Sequence, residues 1–152
     1  MKRIMTILVA FLPTLAFAGL PYEATLKEMA EGADHILVGR VVGVDMMDSG
    51  GNRILDRAAR TGPGLSNTIR LLIAVDQVLV TNSPSVPKTL PVPLASHLHY
   101  SLGQIQDSHV SDTLVRLVLL KEQKFVGIKP GVFLRPLEDK AEALRLYTAS
   151  HM

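Results

Sequence analysis

Hydrophobic and polar residues alternate over residues 69–80, which is the clearest pattern in the chain. The apolar side chains that share one face of this segment are Ile69, Leu71, Ile73, Val75 and Leu79. A two-residue period predicts a β-strand with this face in a core and the other face, which carries Arg70, toward solvent. On that solvent face we expect replacement of Arg70 to have little effect on stability.

Residues 35–44 are apolar on both alternating faces and contain Gly39 and Gly43. Glycine inside a strand allows a sharp bend or the close approach of another backbone. This segment therefore predicts a long, coiled strand of a small barrel.

Further strands are predicted at residues 89–96, 113–121, 125–129 and 132–136. In the first of these, Pro91 and Pro93 lack main-chain N–H donors two residues apart, so one side of the strand cannot complete a ladder. That pattern predicts an edge strand. The sequence Lys129-Pro130-Gly131 predicts a tight turn between the last two strands.

Helices are predicted at both ends of the domain, over residues 21–32 and 136–147, from their helical spacing of apolar residues and their terminal prolines. Residues 45–67 and 97–112 are polar and rich in turn residues, which predicts irregular connections. This order of elements suits a small, partly open β-barrel.

Three of these segments also resemble a known group of proteins. The stretches ADHILVGRVVGV, IRLLIAVDQVLV and LVRLVLLK are similar to strands of bacterial secreted proteins with an OB-type barrel of the netrin and TIMP kind. The resemblance covers residues 22–136 and implies a mainly β fold, an OB-like partly open barrel with short N- and C-terminal helices. Animal inhibitors of that group use an N-terminal cysteine to chelate a metal, and this chain has no cysteine, so that activity is not carried over.

The first eighteen residues have the pattern of an export signal. Lys2 and Arg3 precede an uncharged apolar run that ends in Ala16-Phe17-Ala18, which predicts a secretory signal peptide cleaved before Gly19. Residues 19–152 then form one exported domain, periplasmic or secreted. After this run no other apolar segment is long enough to span a bilayer.

The formal charge of the whole chain is +2, and Lys2 and Arg3 account for it. Without them the chain is neutral, which removes the electrostatic basis for nucleic-acid binding. The absence of cysteine excludes thiol catalysis, disulfides and thiolate metal sites.

The histidines are the candidate metal ligands. On an extended strand His97 and His99 would point the same way and could bind one Zn or Cu ion. His109 could add a third ligand, and His35 or Asp107 could complete the site. The alternative is that these side chains are polar surface.

Two further groups are candidates for binding a partner. Arg53, Arg57 and Arg60 lie at helical spacing in the long connection and could bind an anionic group, although such a trio is commonly a solvated face. Tyr100 is the one aromatic residue in a candidate loop site. It could equally cap one end of the barrel.

Serines, histidines and aspartates between residues 96 and 112 leave a hydrolase open as an alternative, although neither a GxSxG nor an SxxK motif occurs there. The sequence therefore predicts no catalytic residues. The favoured function is non-catalytic binding, with a protein of the cell envelope as the partner. The two alternatives are a small metal-binding protein and a hydrolase with an unrecognised site.

Overall fold

The computed structural model describes residues 20–152, so the predicted signal peptide lies outside the described residues. Within this range no helix has both the length and the apolar character needed to cross a membrane. The elements are α1 (Leu26–Gly32), β1 (His35–Met47), β2 (Thr68–Thr81), β3 (Thr89–Pro93), α2 (Leu102–His109), β4 (Arg116–Lys121), β5 (Val126–Gly127), β6 (Leu134–Pro136), a 3-10 helix (Leu137–Asp139) and α3 (Lys140–His151).

The strands form one antiparallel sheet of six in the order β3-β2-β1-β4-β5, with β6 also paired to β4. Strands β5 and β6 lie end to end along the same side of β4. The sheet curls until β3 contacts β5, but these two strands are not paired and the barrel stays open. The predicted fold class, mainly β and partly open with short terminal helices, is confirmed.

Strand β1 bends because its register with β2 is interrupted three times. The shifts fall between Ile36 and Leu37, between Val38 and Gly39, and between Val41 and Gly43. At Gly39 the backbone of β2 comes so close that a Cβ atom would lie 2.6 Å from the carbonyl oxygen of Ala74. Only glycine fits there, and the predicted bend is therefore a close backbone approach combined with bulges.

The third bulge changes which residues of β1 face inward. Before it, Leu37 and Val41 point into the barrel, and after it Val44 and Met46 do. They join the inward face of β2, where Ile69, Leu71 and Ile73 are buried as predicted. The inside of the barrel is completed by side chains that include Leu90, Val92, Leu102, Val118, Leu120 and Phe133.

A second core lies on the outer face of the same sheet. Ile36 of β1 and Leu117 and Leu119 of β4 pack there against α1 and α3, with Met29 and Ala143 as the fully buried helical contacts. Residues 35–44 are apolar on both faces because β1 separates these two cores.

The boundaries of the terminal helices differ from the prediction. Helix α1 begins at Leu26 because Thr25 caps it: Thr25 Oγ1 accepts the Glu28 N–H at 3.1 Å, and Glu28 Oε2 accepts the Thr25 N–H at 2.9 Å. Pro21 and Tyr22 therefore precede the helix. At the other end a 3-10 turn comes first and α3 extends to His151.

The prolines of β3 face away from β2. The Leu94 N–H donates to Ile69 O at 2.8 Å, and Lys88 O accepts the Val75 N–H at 2.9 Å. Because main-chain groups alternate along a strand, Pro91 and Pro93 point to the open side of β3. The predicted edge strand is thus confirmed, and this edge cannot form a regular ladder.

Arg70 is not the dispensable surface residue that its position predicts. Its Nε and Nη2 atoms donate to the two carboxylate oxygens of Asp45 at 2.8 and 2.6 Å, and Asp45 is buried. A buried carboxylate that loses its partner carries its full desolvation cost.

We expect Ile73→Ala to lower the free energy of unfolding by about 2–5 kcal/mol, because it leaves a cavity in the barrel core. Val78→Ala on the same strand, where the side chain is 42% exposed, should cost under about 0.5 kcal/mol. Denaturant melts of both variants measure the difference. Equal costs would contradict the inward facing of Ile73.

Arg70→Ala should cost about 1–3 kcal/mol of unfolding free energy, since Asp45 is left buried without its hydrogen bonds. The matched control is Arg40→Ala, which breaks a similar pair with Asp76 in which both side chains are at least a third exposed. That change should cost under about 1 kcal/mol. A cost for Arg70→Ala no larger than for the control would show that the Asp45 pair is not a stabilising contact.

Candidate functional site

Strand β1 is paired with β2 along its whole length but with β4 only as far as Gly39. Beyond that point, Met46 O accepts the Ile54 N–H at 2.8 Å and Val44 O accepts from Gln106 Nε2 at 3.4 Å. Residues 40–43 have no strand neighbour on this side in the described structure. They form a free strand edge in the middle of the sheet.

A cleft runs along this free edge, and we call it the β1 cleft. One wall is residues 40–44, and the other is the end of α2 with the turn that follows it; the cleft has a volume of about 470 Å³. Val42 and Val110 project into it with 55% and 82% of their surface exposed. The β1 cleft is therefore a polar strand edge flanked by exposed apolar side chains.

The charged side chains that line the β1 cleft are each held in an ion pair. Arg40 donates through Nε and Nη2 to both oxygens of Asp76, each at 3.0 Å. These hydrogen bonds lower the pKa of Asp76 and raise that of Arg40. His109 and Asp112 are bonded to each other, and Asp112 also bonds Arg116. The cleft thus presents little uncompensated charge.

Asp112 fixes the wall opposite β1. Its carboxylate accepts from Arg116 Nη1 at 2.8 Å, from the Leu114 N–H at 3.1 Å, and pairs with His109 Nδ1 at 2.8 Å, while its own side chain is 6% exposed. Burial alone would raise the pKa of Asp112, but the hydrogen bonds from Arg116, His109 and Leu114 outweigh it and lower the pKa to about 2. The turn after α2 is therefore fastened to β4.

A second, more apolar cleft is lined by the next residues of the chain. It has a volume of about 330 Å³ and lies between residues 114–116 and 134–138. Leu114, Val115 and Leu137 are exposed in it by 62%, 40% and 36%. Residues 112 and 113 line the β1 cleft and residue 114 lines the second, so the two clefts are neighbours along the chain. We call their exposed side chains the apolar band, which comprises Val42, Val110, Leu114, Val115 and Leu137.

The arginine trio does not form the predicted helical face, since residues 53–60 contain no helix. Arg57 Nη2 donates to Asp107 Oδ1 at 2.6 Å and to Gly103 O at 3.1 Å, so its side chain ties this connection to α2. Arg53 and Arg60 each form an isolated bridge through the main chain, with Met47 and Ser101 respectively. The main chains of Arg53 and Arg60 are thus paired with different segments, and Arg57 has a structural contact with α2.

His97 lies in a turn and His99 in the irregular stretch after it, so neither is on an extended strand. His97 Nε2 pairs with Leu20 O at 3.1 Å, and its ring meets that of Tyr22 edge to face at 4.9 Å. The ring of His99 lies against Gly62, where a Cβ atom would be 2.7 Å from His99 Nδ1. The strand geometry that would direct both imidazoles to one metal ion is therefore absent.

The other proposed ligands are held elsewhere. His35 is fully buried, with Nδ1 paired to Thr81 Oγ1 at 2.8 Å and Nε2 donating to Glu122 O at 2.9 Å. His109 pairs with Asp112, and Asp107 with Arg57. Among residues 20–152, no three His, Asp or Glu side chains are grouped closely enough to hold one metal ion.

Tyr100 has a structural position in the barrel wall. Its main chain exchanges hydrogen bonds with Thr61, since the Thr61 N–H donates to Tyr100 O at 2.9 Å and the Tyr100 N–H to Thr61 Oγ1 at 3.3 Å. The side chain is partly buried and packs against the barrel core. It contributes to packing between two connections, as in the capping alternative.

The serines near these histidines have their own hydrogen bonds. Ser101 Oγ caps α2 by accepting the Gln104 N–H at 3.2 Å, and Ser108 Oγ donates to Ile105 O at 2.7 Å. In the described residues, neither hydroxyl is bonded to His109. His109 is paired with Asp112 instead.

Sequence reasoning missed both walls of the β1 cleft. It treated residues 97–112 as irregular, although Ser101 is a good N-cap for a short helix. Val42 was assigned to a strand, but a pattern of residues does not show which side of a strand is left unpaired.

We expect Asp112→Asn to lower the free energy of unfolding by about 1–2 kcal/mol at about pH 6. The pKa of Asp112 is lowered in the folded state, so its stabilisation is present above the unfolded value near 4 and disappears as the pH falls through about 2. Urea melts at several pH values measure both effects.

The control for this prediction is Asp107→Asn on α2, the helix that precedes Asp112. The Asp107 side chain is 68% exposed in its pair with Arg57, and its replacement should cost under about 1 kcal/mol. A difference between wild type and Asp112→Asn that stays constant down to about pH 2 would contradict the assigned role.

Comparison with known proteins assigns the chain to no family. Models of protein families, curated proteins and solved structures were compared with it, and none of them matches. The most distinctive surface features of the chain are the β1 cleft and the apolar band.

Proposed function

We propose that this chain is an exported, non-catalytic binding protein that holds a protein of the cell envelope through its apolar band. Export is supported by the basic and then apolar pattern of residues 1–18, which is typical of a periplasmic or secreted protein. The resemblance to secreted OB-type proteins of the netrin and TIMP kind agrees with a binding role.

The observation that carries the proposal is the grouping of exposed apolar side chains. Five large hydrophobic residues with at least a third of their surface exposed line two clefts that are neighbours along the chain. Scattered exposed hydrophobic residues are normal on a protein surface, but a group of them beside clefts is typical of an interaction site.

The chemistry of the partner follows from the surface that it must cover. In the β1 cleft, Arg40 is paired with Asp76 and Asp112 with Arg116, so this cleft carries little net charge. In the second cleft, Arg135 is paired with Asp139, and Glu138 adds one carboxylate. An anionic ligand such as a nucleic acid would gain little electrostatic attraction here. An uncharged, apolar surface of another protein fits the band best, because it removes the exposed valines and leucines from water.

Site-specific photo-crosslinking in cells tests this proposal. A photoreactive amino acid at position 110 should crosslink to an envelope protein, and the additional change Leu114→Asp should reduce that crosslink at least about tenfold by placing a charge in the band. The same probe at position 55, where the leucine is also exposed but lies outside both clefts, should give no such product.

Equal crosslinking from positions 110 and 55, or a product that is insensitive to Leu114→Asp, would show that the apolar band is not the binding surface. Thermal melts of the Leu114→Asp variant confirm that it is folded, because Leu114 is 62% exposed and outside the core.

A further inference from the structure

We propose that the β1 cleft receives an extended segment of the partner chain, which adds to the sheet as a strand beside residues 40–43. The inference rests on the proposed function and specifies how that binding takes place.

Val41 and Val42 lie at the third bulge of β1, where the pairing with β2 is irregular. Arg40 is aligned with Ala74 and Gly43 with Leu72, so Val41 and Val42 together oppose the single residue Ile73. The hydrogen bonds Leu94 N–H to Ile69 O and Val75 N–H to Lys88 O show that the odd-numbered residues of β2 direct their main chain to β3. The main-chain groups of Ile73 therefore face β3, so Val41 is aligned with Ile73 without being hydrogen-bonded to it. Val42 is aligned with no residue of β2.

On the opposite side, β4 ends its pairing at Gly39, so it does not reach these residues either. In the described range, the contacts that cover this side of β1 begin at Val44, whose carbonyl oxygen accepts from Gln106 at 3.4 Å. Val42 is 55% exposed and Val41 only 4% exposed, and both line the cleft. Main-chain groups that lie beside a cleft without a strand partner are best satisfied by another main chain, which is how strand addition to a sheet edge gives affinity.

The other edges of the sheet differ from this one. The outer side of β3 carries Pro91 and Pro93, and the outer side of β4 is covered by β5 and β6. Residues 76–81 of β2 extend beyond the pairing with β3, but they do not line the β1 cleft. The stretch at residues 40–43 is the unpaired edge that lies in this cleft. Its protection is only that it is recessed behind α2 and the turn that follows.

The recessed position of residues 40–43 limits which kind of chain can bind there. The same edge of a second copy lies behind the same wall and cannot reach into the cleft, whereas a single extended segment can. Val42 and Val110 flank the position of such a segment and favour small or β-branched apolar side chains on it. The ion pairs around the cleft favour a segment without charges.

A tethered peptide tests the strand addition whatever the identity of the partner. Because the chain contains no cysteine, Thr113→Cys on the far wall gives one attachment point for a disulfide-linked peptide. The probe is Cys-Gly-Val-Thr-Val-Thr amide, and its control is the same peptide N-methylated at alternate residues on the side that would pair with β1. Amide hydrogen exchange at Val41 and Val42 is the readout.

We expect the unmodified peptide to slow exchange of at least one of these two amides about tenfold or more, because its carbonyl oxygens accept hydrogen bonds from them. The N-methylated peptide should leave both unchanged, because its methyl groups remove the donors to β1 and prevent the close approach of the two main chains. Attachment of the unmodified peptide at Leu65→Cys, an exposed position of the long connection outside the cleft, should have no effect on the two amides.

Equal protection by both peptides, or protection by neither, overturns strand addition. If the crosslink from position 110 nevertheless depends on Leu114, the binding surface is correct and only the mode of binding is wrong. If that crosslink also fails, the proposed function fails with it.

Discussion

The structure depends on the way β1 accommodates two cores at once. A regular strand places alternate residues on opposite faces, and a straight sheet could not both close around an interior and support a helical layer outside. The bulges opposite β2 and the close approach at Gly39 let β1 curve into the barrel, while Ile36 remains in contact with α1 and α3. The interior, the helical layer and the interrupted pairing with β4 all follow from this bend.

The same bend creates the β1 cleft. Beyond Gly39, β1 turns away from β4 and is no longer paired with it. Helix α2 and the turn after it lie beside this part of β1 instead. Asp112 holds that turn through Arg116 and the Leu114 N–H. A buried carboxylate with several donors is a rigid junction, so the far wall of the cleft is anchored to the strand that β1 has left.

The sequence allowed the strands to be predicted wherever one physical signal dominated. Alternation placed Ile73 inward, and the missing donors of Pro91 and Pro93 marked the edge. The remainder depended on contacts between distant segments. Arg70 looks like a surface residue until Asp45 is brought beside it. Ser101 could be recognised as an N-cap, but the helix after it has few apolar residues. No local pattern shows that the pairing of β1 with β4 ends at Gly39.

The two prolines of β3 also limit how copies of this chain can associate. Growth of a continuous sheet from molecule to molecule needs two accessible edges on each, one to receive a strand and one to be received. Pro91 and Pro93 interrupt the ladder on the outer edge of β3, and residues 40–43 lie in the recess behind α2 and the turn that follows it. Neither edge therefore favours growth of a continuous sheet from one molecule to the next.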